Sequence, residues 1–547
     1  MSSIESIYNQ TNYIDRSYIE IHNKPNDDIP FNIFEDSSEK FGTLTIKMAK
    51  KDITTTPIFI LLSIDVTNSM DSIVKTLSRN NEKISKMDYM IKTCKNMIEY
   101  LSNQPVDIYI TVNAFNTNVI VVIENEKITA ETKNSIIEKF EYLKPKGSTD
   151  IGLALTESQR TLTEYREKNP THKISHIFMT DGEPNAGILN ESILESLINK
   201  DFNNVFVGFG KDHNSTLLRK LSENGKSEYH VVIDEENTGL VYADTIYQLL
   251  FSAIENIKIT MNDGLIYNWK TNTWSNYLEQ NVFVSETEKT FHIRTHNPNN
   301  VSALINGVIS DQYIVEQLLD EVIPLPDLLE TDGENHMYTD LSKFIFRQKV
   351  QEILFELSRS SIKQSLIQKR FETLENKNHL RTFFAKMRQF MRNKGLLTDP
   401  FMLLLCDDIL VVYNSLNTCE STMYLSARQI SQGTQQSYTS PCYSRRQSER
   451  FDSDNDSDSE SNAETIIVNR NYSQDRFSLR IPTLSRRDSM DIETILDEQE
   501  EEHDDDETDD NEDIIQKEDD INYYTTNNEA ITCYATENMT KTMKLFT

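Results

Sequence analysis

Apolar and polar positions along the 547-residue chain follow two different periods. From 57 to about 257, short continuous apolar runs alternate with stretches in which apolar residues return every three or four positions. "PIFILLSID" (57–65) and "ISHIFMTD" (174–181) are runs of the kind that marks strands buried on both faces. Between 84 and 102, Ile84, Met87, Ile91, Cys94, Ile98 and Leu101 recur at helical steps. "VDIYITVNAF" and "NVIVVI" are close enough to predict a hairpin. Further helices are expected at about 129–141, 150–166, 190–200, 214–223 and 237–256, with strands at "NVFVGFG" and "YHVVI". Strands alternating with helices over roughly 200 residues predict an α/β fold with a doubly wound, mostly parallel sheet, Rossmann-like in outline.

The flanks read differently. Residues 1–40 are polar and irregular, which suggests a flexible N-terminal arm, and 41–56 reads as one strand, "FGTLTIKMA", with a linker. From 258 to 325, short strands such as "LIYNWK", "VFVSE" and "TFHIRT" alternate with Asn and Gly turns. A β-rich domain is predicted there, with the 41–49 strand as a possible member. Residues 337–416 return to helical spacing. Phe346, Val350, Ile353, Leu354 and Leu357 mark one helix, and Phe383, Met387, Phe390 and Met391 another. Asp399–Pro400 supplies a cap and a first-turn proline for a third. This is the pattern of a helical bundle with its own core. From 420 to 547 the chain turns Ser-rich and acidic, a composition that buries too little apolar area to offset the entropy of ordering, so a disordered tail is expected.

Charge sharpens that division. The formal net charge is −32, and Phe451–Thr547 carries 28 acidic against 8 basic residues, so −20 lies in the tail and −12 in the first 450 residues. No broad basic face exists to bind nucleic acid. Five cysteines, Cys94, Cys406, Cys419, Cys442 and Cys533, are odd in number and scattered, with no CxxC pair. That pattern argues against a disulfide scaffold or zinc finger and for a reducing compartment. The N-terminal residues lack an apolar stretch of signal-peptide length, and no run approaches the ~20 residues a membrane helix needs. The expectation is a cytoplasmic protein with no membrane insertion.

Three motifs carry the candidate chemistry. "DVTNS", with Asp65, Thr67 and Ser69, leaves the end of the first buried strand. "GSTDIG", with Thr149, opens a helix, and "TDGEPN", with Asp181, leaves the "ISHIFM" strand. In open α/β sheets, ligands sit beyond the carboxyl ends of strands where the strand order reverses. If the two strands are neighbours ~4.8 Å apart, their terminal aspartates converge. Two carboxylates and three hydroxyls are an all-oxygen set suited to a hard cation such as Mg²⁺, with Gly147 and Gly182 allowing close backbone approach.

Together, in this order and at strand ends, the motifs resemble the metal-ion-dependent adhesion site of von Willebrand factor type A domains, over about 57–257. The resemblance implies that Asp65, Thr67, Ser69, Thr149 and Asp181 bind Mg²⁺ or Mn²⁺, with at least one aspartate acting through water. It further implies that an Asp or Glu carboxylate of a protein partner completes the coordination, without catalysis. Asn68, Ser148, Asp150, Glu183 and Asn185 are the candidate partner-binding rim. Two positions depart from the family pattern: Thr67 stands where Ser is usual, and Ser148 replaces a Gly. A degenerate site, in which Asp65 and Asp181 only cap loops, is the alternative.

His172 and His176 lead into a strand, where residues four apart lie ~13 Å from each other, too far to share a metal. No P-loop, nucleophile elbow or H-E-x-x-H occurs. Two further functions remain open. One is a scaffold subunit whose α/β domain is structural and whose helices and tail recruit partners; the other is a metal-dependent hydrolase. Ser448 and Ser489 each follow an Arg-Arg pair, and Ser453, Ser457 and Ser459 lie in an acidic run, so all five are candidate phosphorylation sites. The acidic tail could also offer its own carboxylates to the metal and block the site in cis.

Overall fold

The computed structural model describes residues 13–23, 29–31, 34, 36, 38–74, 84–210, 213–223, 226–232, 235–311, 314–324, 339–359, 366–416, 418, 420–435, 534, 536 and 538–539. The chain opens with β1 (Ile14–Ile21) and β2 (Lys40–Met48), which pair antiparallel. Residues 14–21 are therefore strand and not flexible arm. The sequence understates β1 because its alternation, IDRSYIEI, is interrupted by Asp15 and Arg16; Ile19 and Ile21 become core only once β2 lies alongside.

The α/β unit follows. β3 (Ile58–Asp65) is buried at all eight positions. A short helical turn, Asn68–Asp71, leads to the two-residue strands β4 (Ile73–Val74) and β5 (Ile84–Ser85), which pair with each other. Then come α1 (Lys86–Leu101), the hairpin β6 (Ile108–Phe115) and β7 (Val119–Lys127), α2 (Lys133–Glu141) and α3 (Ile151–Lys168). β8 (Lys173–Thr180), α4 (Glu191–Ser196), β9 (Asn203–Phe209), α5 (Ser215–Ser222), β10 (Ser227–Val232) and α6 (Glu235–Phe251) complete it.

The sheet order is β10-β9-β8-β3-β6-β7, parallel except for the edge strand β7. From β3 the chain first builds outward through β6 and β7, then returns to the other side of β3 for β8. The order therefore reverses between β3 and β8, the two strands whose ends carry the candidate aspartates. One face packs on α1 through Met90, Cys94, Met97 and Ile98, and the other on α3 and α5 through Leu155, Leu217 and Leu221.

β11 (Ser252–Asn262) starts directly after α6, ahead of the expected boundary at 257. It is followed by β12 (Leu265–Asn268), β13 (Thr273–Ser275), β14 (Tyr277–Val284), β15 (Glu288–Thr295), β16 (Ser302–Asp311) and β17 (Ile314–Val322). These form two antiparallel sheets, β1-β2-β15-β12-β13 and β14-β11-β16-β17, around a common core that includes Leu44, Ile46, Ile259, Phe283, Ile293 and Ile305. The β-rich segment is thus a two-sheet sandwich. β2 does join it, pairing with β15 along its whole length, so the α/β unit is inserted between two strands of the sandwich.

The helical region comprises α7 (Ser342–Arg359), α8 (Leu366–Lys394), α9 (Pro400–Ser415) and α10 (Ser421–Thr434). Its core joins Phe346, Val350, Met387, Phe390, Met402 and Leu405. Asp399 caps α9 by accepting the Met402 N–H at 3.0 Å, with Pro400 in the first turn. α10 lies beyond the expected start of the tail at 420. Its sequence, STMYLSARQISQGT, is polar, yet Arg428 and Gln432 are buried because α9 supplies their partners Asp407 and Asp408. Near the C-terminus, Met539 is buried in the α/β core and the Tyr534 hydroxyl donates to Gln432 Oε1 at 3.0 Å. Ser448, Ser453, Ser457, Ser459 and Ser489, and nearly all of the acidic segment, lie outside the described residues. Among the described residues, no helix is long and apolar enough to cross a membrane, and Cys94 and Cys406 are buried and in no disulfide.

Candidate metal centre

β3 delivers Asp65 to the carboxyl edge of the sheet with its side chain fully buried. Its Oδ1 accepts the Thr67 N–H at 2.9 Å and its Oδ2 accepts the Thr180 hydroxyl at 2.6 Å. The first bond turns the chain sharply after β3; the second ties β3 to β8. Burial dominates the Asp65 carboxyl and pushes it up to about 6, with the bonds from Thr180 and Thr67 opposing the rise and Asp181 adding to it.

Thr67 and Ser69 follow in the turn, with their hydroxyls 3.0 Å apart. Ser69 Oγ donates to Asp181 Oδ1 at 2.7 Å, which joins the first motif to the third. The loop before α3 closes over them: Lys146 N–H donates to Val66 O at 2.7 Å and Asn68 N–H to Gly147 O at 3.3 Å. Gly147 takes φ +83°, a conformation that disfavours a side chain. Thr149 is buried beside this loop. A Cβ placed on Gly182 would lie 3.4 Å from Thr149 Oγ1 and 3.7 Å from Ser69 Oγ, so that glycine lets both hydroxyls approach the strand end. All five expected ligands therefore meet at one rim of the sheet, at the reversal between β3 and β8.

The rim residues divide. Asn68, Ser148, Glu183 and Asn185 are exposed. Asn185 also has an internal role, since its Oδ1 receives the Thr149 N–H at 2.7 Å and its own N–H donates to Thr149 O at 3.1 Å. Asp150 is half-buried and caps α3, its Oδ1 accepting the Leu153 N–H at 2.8 Å. Its carboxylate fills the space where a Cβ on Gly187 would stand, 2.2 Å away. Asp150 thus builds the loop that presents Thr149.

Two residues escaped the sequence reading. Thr180, in the same "MTDG" run as Asp181, was legible as a strand-end hydroxyl, but nothing local indicates that it points at Asp65. Lys86, the first residue of α1, donates from Nζ to Asp181 Oδ2 at 2.8 Å, with its own side chain 10% exposed and that of Asp181 fully buried. Periodicity shows only a polar position at a helix start. His176, by contrast, is buried and bonded to Ser63 and Asn204, and His172 to the Tyr165 hydroxyl, so the two histidines serve separate structural contacts.

Among the described residues, no group of three or more His, Cys, Asp or Glu is placed to hold a metal. The site at the β3–β8 reversal has two carboxylates, and its remaining donors are hydroxyls. An all-oxygen set of this kind fits a hard divalent cation.

A family model described as the von Willebrand factor type A domain matches residues 60–244. Among solved structures, the chain is similar to a von Willebrand factor type A protein from Catenulispora acidiphila, at 13% identity over 73% of this chain and 91% of that one, with a TM-score of 0.44. It is also similar to the ArnB paralog VWA2 from Sulfolobus acidocaldarius, at 12% identity over 77% and 99%, with a TM-score of 0.44. A third likeness is to proximal thread matrix protein 1 from the mussel byssus, described with a zinc-occupied MIDAS motif. There the identity is 19% over 33% and 45%, with a TM-score of 0.26. No curated protein matches the chain.

Proposed function

Since residues 60–244 of this chain are a von Willebrand factor type A domain, generally a non-enzymatic interaction module, we propose that it binds a protein partner through a divalent cation held by Asp65, Thr67, Ser69, Thr149 and Asp181. The observation that carries this reading is the convergence of those five oxygen-bearing side chains from three separate loops, linked by the Ser69–Asp181 and Thr67–Ser69 contacts.

When bound, Mg²⁺ or Mn²⁺ would supply a hard electrophilic centre able to take an Asp or Glu carboxylate of the partner. The chain's own residues do the positioning. Asp65, bonded on both oxygens to Thr67 and Thr180, fixes the turn that presents the Thr67 and Ser69 hydroxyls. Ser69 donates its proton to Asp181, accepts from Thr67 and keeps a lone pair for the cation. Asn185 holds the backbone on both sides of Thr149. Asn68, Ser148 and Glu183 are exposed around the rim and would select among partners by shape and charge. A hydrolase would need a general base with an activating partner beside the carboxylates, and the contacts of the five residues provide none.

The test is calorimetric titration of the full chain with Mn²⁺ and Mg²⁺ after EDTA treatment, alongside Asp65→Ala. The expected result is saturable uptake of one ion by the wild type and loss of uptake in the variant. Absence of saturable uptake by the wild type at about 10 mM, far above the usual range for such sites, overturns the reading.

A further inference from the structure

Lys86 is an unusual occupant for its position. It begins α1, and a helix N-terminus presents unpaired N–H groups and the positive end of the helix dipole, so a cation is disfavoured there. Its backbone cannot drift from that end: Ser85 caps the helix in a reciprocal box with Asp88, and the Lys86 N–H donates to Ser72 O at 3.0 Å. The side chain nonetheless crosses to the carboxyl edge of the sheet. It passes over Gly210, where an added Cβ would stand 3.0 Å from Lys86 Cε and 3.2 Å from Nζ; Gly210 also has φ +73°. It ends on Asp181 Oδ2, while Ser69 occupies Oδ1. Both oxygens of this carboxylate are thereby engaged, one of them by a buried ammonium.

We propose that Lys86 is a tethered competitor for the divalent cation, so that ion entry requires its ammonium to withdraw from Asp181. This inference rests on the metal-binding reading above. Two positive centres sharing one buried carboxylate repel strongly at low dielectric, so the ammonium and the divalent ion cannot both be held closely. Without the ion, Lys86 supplies the charge that lets Asp181 remain buried. With the ion, the same role is redundant and the lysine is released. The site is thus closed by its own chain until the divalent ion, or the ion together with a partner carboxylate, outbids the ammonium.

The experiment is Mn²⁺ titration of the full chain as wild type, Lys86→Met and Lys86→Arg, with labelling of lysine amines by acetic anhydride read by mass spectrometry. Lys86→Met keeps the apolar stem over Gly210 and removes the charge; it should bind Mn²⁺ at least about tenfold more tightly, whereas Lys86→Arg should stay near wild type. In EDTA, Lys86→Met should melt below wild type and recover on adding Mn²⁺. In the wild type, Lys86 should be protected from acetylation in EDTA and become reactive at saturating Mn²⁺. Equal affinity in wild type and Lys86→Met, or unchanged Lys86 labelling with ion bound, overturns the proposal and leaves the metal-binding reading standing. Uptake by the Met variant alone supports the proposal and overturns the reading that the wild type works through the ion by itself. If none of the three proteins takes up Mn²⁺, both fall.

Discussion

Arg428 is the most informative residue to perturb for stability. It is fully buried on α10 and faces two carboxylates of α9, with Nη2 2.9 Å from Asp407 Oδ2 and Nη1 2.9 Å from Asp408 Oδ1. Gln432 Nε2 adds a bond to Asp408 Oδ2 at 2.6 Å. Arg428→Met keeps the bulk but leaves two buried carboxylates facing an apolar side chain. Removing one partner of a buried pair costs about 3–5 kcal/mol, because the remaining charge has lost its solvation and its ion-pair partner.

The pH dependence follows from Asp408. Burial is the largest influence on it and lifts its carboxyl to about 7, against the attraction of Arg428. A folded-state value raised above the unfolded one means that the native protein holds the proton more readily, so the burial cost grows as pH rises through that range. Without Arg428 the rise is larger still. The variant's deficit should be larger at about pH 8.5 than at about pH 5, where Asp408 can be neutralised by a proton. Urea unfolding followed by far-UV circular dichroism at the two pH values measures this, and Asp408→Asn in the Arg428→Met background should recover part of the loss. A deficit below about 1 kcal/mol at the higher pH, or one that grows towards acid, would refute the reasoning.

Two further outcomes are expected. His176 is buried and neutral, its imidazole pushed down to about 4 by burial despite the bond to Asn204. Because the unfolded imidazole takes a proton near pH 6.5, wild-type stability should decline between about pH 6.5 and 4, by up to about 3 kcal/mol from this group; His176→Gln should show a flatter profile in the same denaturation series. Gly187 has φ +67°, and a Cβ there would meet the Asp150 carboxylate. Gly187→Ala should cost about 2–3 kcal/mol, combining left-handed strain with loss of the α3 cap, and should weaken Mn²⁺ uptake by disturbing Thr149, whereas a variant of wild-type stability and affinity would show that Asp150 does not build the site.

The alternation of buried strands and amphipathic helices was readable along the chain because each element writes its own period. "IFILLSID" must be covered on both faces, and Met87, Ile91, Cys94 and Ile98 share one side of a helix, whatever else the chain does. The motif residues were likewise legible as oxygen donors at strand ends. The structure adds that β3 and β8 are neighbours, so Asp65 and Asp181 converge. Only tertiary structure decided the rest. β1 and β2 complete a sandwich whose other strands follow the α/β unit, α10 buries Arg428 against Asp407 and Asp408, and Lys86 reaches Asp181 across 95 residues of sequence. Each is a pairing between distant segments, and a periodic pattern records which face of an element is apolar without recording what that face, or the polar residue at its end, will meet. That is why the oxygen-bearing residues at the strand ends could be read from the sequence while the lysine set against Asp181 could not.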